Sequence, residues 1–346
     1  RGIQMQKKKN KKKKILLIVL AVLLIPIAAI AVTLVVLIGN GDIGETADVI
    51  KTVATDSGKT GSETIVLFGV DSRDNKLGKG TRSDSIMVAN VNHDTKKVRV
   101  ASIYRDTYVD IDGHGLDKLT HAHAYGGPVF AMDTVNRNFD LDIKNYVTVN
   151  FGNVAEVVNQ LGGIELDISE EELQYINGLI DNINQIDNTN SSHITTTGTQ
   201  HVDGTQAVAY SRIRYTAGGD YRRAERQRTV LYQIFQKAKQ ENASNLIKIA
   251  RQMMDQVATN YSTGDAIKVL SYLSKYSMEE SRGFPNKLWG GMIDGVWYGV
   301  PVTLESNVTD LHKFLYEDEE YEPSDKVKEI SSEIEKVAST PNEELE

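Results

Sequence analysis

The chain predicts a layered α/β domain carried behind a single N-terminal membrane span. Three observations predict it. Residues 15–38 form 24 consecutive positions without a charge. Three short apolar segments, Thr64 to Val70, Ser85 to Val91 and Val98 to Ile103, read as strands covered on both faces. Beyond them, apolar residues at helical spacing alternate with further strand-like pieces, and strands interleaved with helices require helices packed on a sheet. With 40% hydrophobic and 25% charged residues over 346 positions, the composition is globular and the length suffices for a full core.

At about 1.5 Å per residue the run 15–38, with Pro26 near its middle, crosses a hydrocarbon core of roughly 30 Å. Arg1 and seven lysines precede it within residues 1–14, with no acid. That block orients the N-terminus to the cytoplasm and the chain from residue 39 onward to the outside. A cleaved signal peptide starts similarly, but its apolar core is about 7–15 residues and ends in a small-residue cleavage site. GNGDIGET is a poor match to such a site, so the segment reads as a retained anchor. Removing the eight N-terminal positive charges from the formal net charge of −8 leaves −16 for the rest, which excludes a general nucleic-acid binder. Absence of cysteine excludes disulfides, thiol catalysis and cysteine metal sites.

The elements follow in order. Residues 39–62, rich in Gly, Thr, Asp and Ser, form a juxtamembrane linker. Asn92 to Lys96 turns the second strand into the third. After the Gly126-Gly127-Pro128 break, Val129, Met132, Val135 and Phe139 predict a helix, then Tyr146 to Val149 a strand. A helix carrying Val154, Val157, Val158 and Leu161 stops at Gly162-Gly163. Ile164, Leu166 and Ile168 alternate with acids as a strand with one wet face, and 181–200 reads as a polar loop. Tyr221 to Lys239 predicts a helix with Asp220 as N-cap, and 243–275 looks helical. Trp289 to Val302 contains strand-like pieces. The segment from Glu317, with twelve acids against three lysines, reads as a solvated tail or frayed helix. The main folded domain spans 63–240, a helical and strand region packed on it 241–316, and the acidic tail 317–346.

Two charged patches carry chemistry. On the helix after residue 220, stepping back along the apolar stripe from Val230 gives Gln227, Arg226 and Arg223, where buried arginines need an anion. They lie in its first turns, where free backbone N–H groups favour phosphate. Arg212 and Arg214, two apart, project alike in an extended segment. Each arginine alone reads more readily as a surface residue paired with a nearby acid such as Glu225, but the set of four guanidiniums suits a pyrophosphate. The second patch is Asp71, Arg73, Arg82 and Asp84, with Arg105 and Asp106 at the end of the third strand. Two carboxylates on loops beside a phosphate site suit Mg²⁺, which takes one or two carboxylates plus phosphate oxygens and water.

These segments resemble the LytR-CpsA-Psr (LCP) family from Thr64 to Gln227, in FGVDSR, TRSDSIMVANVN, SIYRDTYVDI, DKLTHAHAYGG, QLGGIELDI, DGTQAVAYSRIR and DYRRAERQR, and more loosely to about Ser324. The chain departs from the family at Tyr104, where proline is usual, and Arg222, where glycine is common. The resemblance implies a mixed central sheet flanked by helices, and an extracytoplasmic phosphotransferase. Its substrate would be a polyprenyl-pyrophosphate-linked glycopolymer, teichoic acid or capsular polysaccharide, its acceptor a peptidoglycan hydroxyl, and its by-product polyprenyl phosphate. It implies Asp71 and Asp84 as Mg²⁺ ligands. Arg82, Arg105, Arg212, Arg214, Arg223, Arg226 and Gln227 become the pyrophosphate cradle, with Asp84, Arg105 and Arg82 catalytic and Arg73 a substrate contact.

No general base is evident. Asp84 and Asp106 are the candidates, while His121, His123 and His201 read as structural, and the two-residue spacing of the first pair argues against zinc. Two other classes compete: a Mg²⁺-dependent pyrophosphatase acting on the same lipid, and a non-enzymatic membrane regulator. Fourteen cytoplasmic residues hold no fold for transcription control. Oligomeric state is not encoded in any motif.

Overall fold

The computed structural model describes residues 61–72, 76–241, 249, 252–253, 256–260 and 276–338. The expected span, most of the linker, Arg73 and most of the helical stretch at 243–275 lie outside the described residues. In chain order the elements are β1 (Ser62–Val70), β2 (Ser83–Asn92), β3 (Lys97–Ile103), β4 (Tyr108–Ile111), β5 (Gly115–Lys118), α1 (Leu119–Phe139), β6 (Asn145–Asn150) and α2 (Phe151–Gln160). They continue with β7 (Ile164–Ile168), α3 (Glu170–Asp187), β8 (Gly198–Val202), α4 (Gly204–Arg212), α5 (Gly219–Ala238), β9 (Ala258–Thr259), β10 (Ser277–Phe284), β11 (Leu288–Ile293), β12 (Val296–Pro301), α6 (Leu304–Tyr316) and α7 (Asp325–Ala338). This is a mixed α/β fold with a central sheet flanked by helices. Two compact units divide the described residues: a sheet unit, 61–148 with 278–338, and a helical unit, 149–241 with the described residues from 249 to 277.

In the sheet unit the strand order is β10-β3-β2-β1-β6. β1, β2 and β3 form an antiparallel meander in which Val66 faces Val88 and Val88 faces Ala101. Ile65, Val66, Phe68, Val88 and Ala89 are fully buried, so these strands are covered on both faces, as their unbroken apolar runs require. Burying each of the larger side chains contributes about 1.5–3 kcal/mol. Met132, Val135 and Phe139 of α1 join this core, together with Val308 and Leu311 of α6 and Val327, Ile330 and Ile334 of α7.

Two expectations fail here. The first helix starts at Leu119, two turns before the Gly-Gly-Pro break, and continues through a kink at Gly127 (φ 75°, ψ −167°). Pro128 reopens the helix where no N–H bond is needed, and a Cβ on Gly127 would meet the Lys79 nitrogen at 3.3 Å. Nor is the acidic end a solvated tail across Asp325–Ala338. Asp140 accepts from Tyr321 Oη (2.7 Å), Ser324 N (2.7 Å) and Ser324 Oγ (2.6 Å), which anchors the start of α7 and lets its apolar stripe reach the core.

In the helical unit, α2, α3 and α5 pack with α4 between them, and β7 pairs with β8. Where sequence suggested a loop from 181, α3 runs to Asp187. A capping box, Ser169 with Glu172, starts it, and Ile176, Ile180 and Ile183 bury one face. The segment 188–197 is tied back by the Asn177 and Asn184 side chains. The N-cap of α5 is Gly218 (φ 87°), not Asp220. Asp220 sits inside the first turn with its carboxylate committed to arginines, so it does not cap.

Candidate active site

In the sheet unit, the acidic and basic residues of interest emerge at strand ends. Met87 faces Ser102 in the β2–β3 ladder, and continuing that register three residues sets Asp84 opposite Arg105. The side chains meet: Arg105 Nη1 donates to Asp84 Oδ1 at 2.6 Å. Arg105 Nε lies 3.4 Å from Asp106 Oδ2, whose other oxygen is 3.1 Å from Lys118 Nζ. The chain of charges Asp84–Arg105–Asp106–Lys118 is mostly buried, every side chain between 13% and 21% exposed. At the far end of the β1–β2 pair Val70 faces Ser83, which brings the exposed Asp71 and Arg82 to the same edge.

Asp71 and Asp84 are the residues at this edge that could hold a divalent cation. Asp71 is open to solvent and Asp84 meets Arg105 through Oδ1, so the donors are carboxylates at neighbouring strand ends, the set that Mg²⁺ shares with phosphate oxygens and water. Lys118 was not singled out from sequence. The GLDK of β5 has no alternation, and the Asp-Lys pair inside DKLTHAHAYGG was its only signal.

In the helical unit the predicted arginines separate into different environments. Arg226 is 4% exposed: Nε donates to Glu172 Oε1 (2.7 Å), Nη1 to the Ile213 carbonyl (3.2 Å) and Nη2 to Thr216 Oγ1 (2.7 Å). Burial pushes the Glu172 carboxyl up, but hydrogen bonds from Ser169 and Arg226 outweigh it and hold the carboxyl below its usual range. Ile213 and Thr216 bracket Arg214, so Arg226 fixes the segment that presents Arg214 rather than offering its own guanidinium. Arg223 donates from Nη2 to Asp220 at 3.1 Å, and Arg214 Nε lies 3.7 Å from the same carboxylate. Arg212, at the C-terminal end of α4, lies over the Phe151 ring at 5.9 Å. Gln227 is buried and its Nε2 has no hydrogen-bond partner among the described residues, an orphaned donor of the kind an anion satisfies. Arg228, which sequence reasoning passed over, is also buried.

The comparisons agree with this architecture. The model of the LytR_cpsA_psr family matches residues 40–312. The polyisoprenyl-teichoic acid–peptidoglycan teichoic acid transferase TagU of Enterococcus faecalis is 37% identical over 238 residues, 68% of this chain and 73% of its own length. The corresponding transferase TagT of Bacillus subtilis is 34% identical over 231 residues, 65% of this chain and 68% of its own. A solved structure of the LytR-CPS2A-psr family protein YwtF (TagT) with bound octaprenyl pyrophosphate lipid superposes with a TM-score of 0.52 at 25% identity, covering 80% of this chain and 90% of that one. With the family model matched across 40–312, this chain belongs to the LytR_cpsA_psr family.

Proposed function

We propose that this protein is a phosphotransferase that moves a glycopolymer, teichoic acid being favoured by the named relatives, from a polyprenyl-pyrophosphate carrier to a hydroxyl of peptidoglycan. The observation that carries the reading is the Asp84–Arg105 pair at 2.6 Å, at the strand edge that also holds Asp71 and Arg82. A carboxylate and a guanidinium in contact, largely screened from water, serve a reaction whose charge shifts from one phosphate to the next.

In this reading Arg82 and Arg105 hold phosphate oxygens and neutralise the charge that grows on departing polyprenyl phosphate. Asp71 and Asp84 are the residues that would hold Mg²⁺, which when bound supplies electrostatic stabilisation of the phosphates. Lys118 shares the Asp106 carboxylate with Arg105. Within the helical unit Arg212, Arg214, Arg223 and Gln227 are the proposed anion ligands, and Arg226 positions Arg214. Arg73 is the proposed substrate contact of the loop after β1. The apolar run 15–38 anchors the chain, with residues 39 onward on the outer face of the membrane, where the acceptor lies.

The test is transfer by the full chain in detergent, from a synthetic polyprenyl-pyrophosphate glycan to peptidoglycan oligomers, with and without Mg²⁺. Wild type is expected to give metal-dependent attachment, and Arg105→Ala to lose about 10²–10³-fold. Release of free glycan phosphate without attachment would instead identify a pyrophosphatase.

A further inference from the structure

The two candidate bases near the phosphate residues are both neutralised. Asp84 is in contact with Arg105, and Asp106 lies between Arg105 and Lys118. Each carboxylate is already in contact with a guanidinium or ammonium group rather than presented to an acceptor hydroxyl.

One turn into α1 stands a different arrangement. His121 Nδ1 is 2.8 Å from Asp117 Oδ2, and the same oxygen accepts from Tyr125 Oη at 2.8 Å. Asp117 Oδ1 accepts from the Lys118 N–H at 2.7 Å and from Tyr298 Oη of β12 at 3.4 Å. Burial raises the Asp117 carboxyl, but the His121, Lys118 and Tyr125 hydrogen bonds outweigh it and leave it below its ordinary range. The group is therefore an anion at neutral pH with no proton to give, so Nδ1 of His121 is the donor. In the neutral imidazole this tautomer leaves the lone pair on Nε2. No hydrogen bond occupies Nε2 among the described residues, and the side chain keeps 23% exposure.

Position ties the pair to the reacting phosphates. Thr120, the residue before His121, donates its N–H to the Arg105 carbonyl at 2.9 Å and its hydroxyl to the Ser83 carbonyl at 2.9 Å. Ser83 lies between Arg82 and Asp84, and the charge of Arg82 reaches the Tyr125 phenol. Among the groups facing the pair are Lys118 of β5, Tyr108 of β4, Tyr125 of α1, Tyr298 of β12 and the Arg82 charge, with His114 stacked on Tyr125 at 4.0 Å. The other carboxylate-paired histidines, His193 and His201, belong to the helical unit and are more than half exposed. His123 is fully buried with Nδ1 on the Thr81 carbonyl at 2.8 Å.

We propose that His121 is the general base of the transfer, with Asp117 as its positioning residue and Tyr125 and Tyr298 holding that carboxylate in place. This rests on the transferase reading. The acceptor hydroxyl gives its proton to His121 Nε2 as its oxygen bonds to the glycan phosphorus. The phosphorus–oxygen bond to the carrier breaks, and polyprenyl phosphate leaves with the bond's electron pair. The imidazolium that results is stabilised by Asp117, then returns its proton to water.

The experiment uses full-length wild type, His121→Gln, His121→Ala and Asp117→Asn. It measures glycan transfer to peptidoglycan oligomers across pH, binding of octaprenyl pyrophosphate, and thermal melting. We expect His121→Gln to lower kcat about 10²-fold or more with carrier binding unchanged, and to remove the acid limb of the wild-type pH profile. Added imidazole should restore part of the His121→Ala rate, and Asp117→Asn should displace the acid limb. Transfer by His121→Gln within twofold of wild type, with the same pH profile, overturns the proposal while leaving the transferase reading standing. A His121→Ala protein that binds carrier but is inert to imidazole, beside an unchanged acid limb in His121→Gln, does the same. Wild type that transfers nothing to any oligomer overturns both.

Discussion

Arg226 and Arg105 have the same side chain and opposite commitments, and their partners decide which. All three guanidinium nitrogens of Arg226 are engaged by the protein, one by the nearly buried Glu172. Breaking such a pair strands a charge in low dielectric, so Glu172→Gln or Arg226→Ala should each lower unfolding stability by about 3–5 kcal/mol. The double replacement Glu172→Gln with Arg226→Met leaves no buried charge and should recover most of that loss. Denaturant unfolding of the four proteins checks the cycle. A single replacement that costs under about 1 kcal/mol would return Arg226 to the list of anion ligands. Sequence placed Arg226 on the buried face of its helix correctly, because helical spacing from Val230 is local information. That its anion is a carboxylate of α3 was not legible, since the partner is 54 positions away.

At the scale of elements, legibility followed apolar pattern. β1, β2 and β3 were readable because each is an unbroken apolar run, and their register then delivers Asp84 to Arg105. The β4–β5 hairpin was missed because four-residue strands, the second of them GLDK, show no period. α7 was read only as a solvated tail or frayed helix for another reason: its acids outweighed Val327, Ile330 and Ile334, although these recur at helical spacing and are fully buried. The helix is therefore a structural part of the sheet unit, and its two faces should respond differently. Ile330→Ala should cost about 2–5 kcal/mol. Glu333→Ala, on the exposed face, should stay within about 0.5 kcal/mol. Equal, negligible effects in thermal melts would mean that α7 does not contribute to the fold.

For the molecule as a whole, carboxylates displaced in opposite directions give stability opposing trends with pH. Asp133 of α1 has Oδ1 buried without a partner among the described residues, and burial pushes its carboxyl up to about 6. Its native form therefore binds the proton more tightly than the unfolded chain does, and stability falls as pH rises from about 4 through about 6. Glu172, Asp117 and Asp310 are held below their ordinary values, so each adds stability at higher pH that is lost as pH falls through the carboxylate range. The two trends oppose each other across the carboxylate range, and the Asp133 trend continues up to about 6. Partial exposure screens the Asp133 penalty to roughly 1 kcal/mol. The Asp133 contribution to melting temperature should accordingly decline between about pH 4 and about pH 6. Asp133→Asn removes the charge that burial penalises, so it should raise the melting temperature above pH 7 and leave it nearly unchanged at pH 4. Glu172→Gln should act in the opposite window, lowering the melting temperature most at neutral pH and least near pH 3. An Asp133→Asn protein no more stable than wild type at pH 8 would show that the Asp133 carboxyl is solvated in the native state.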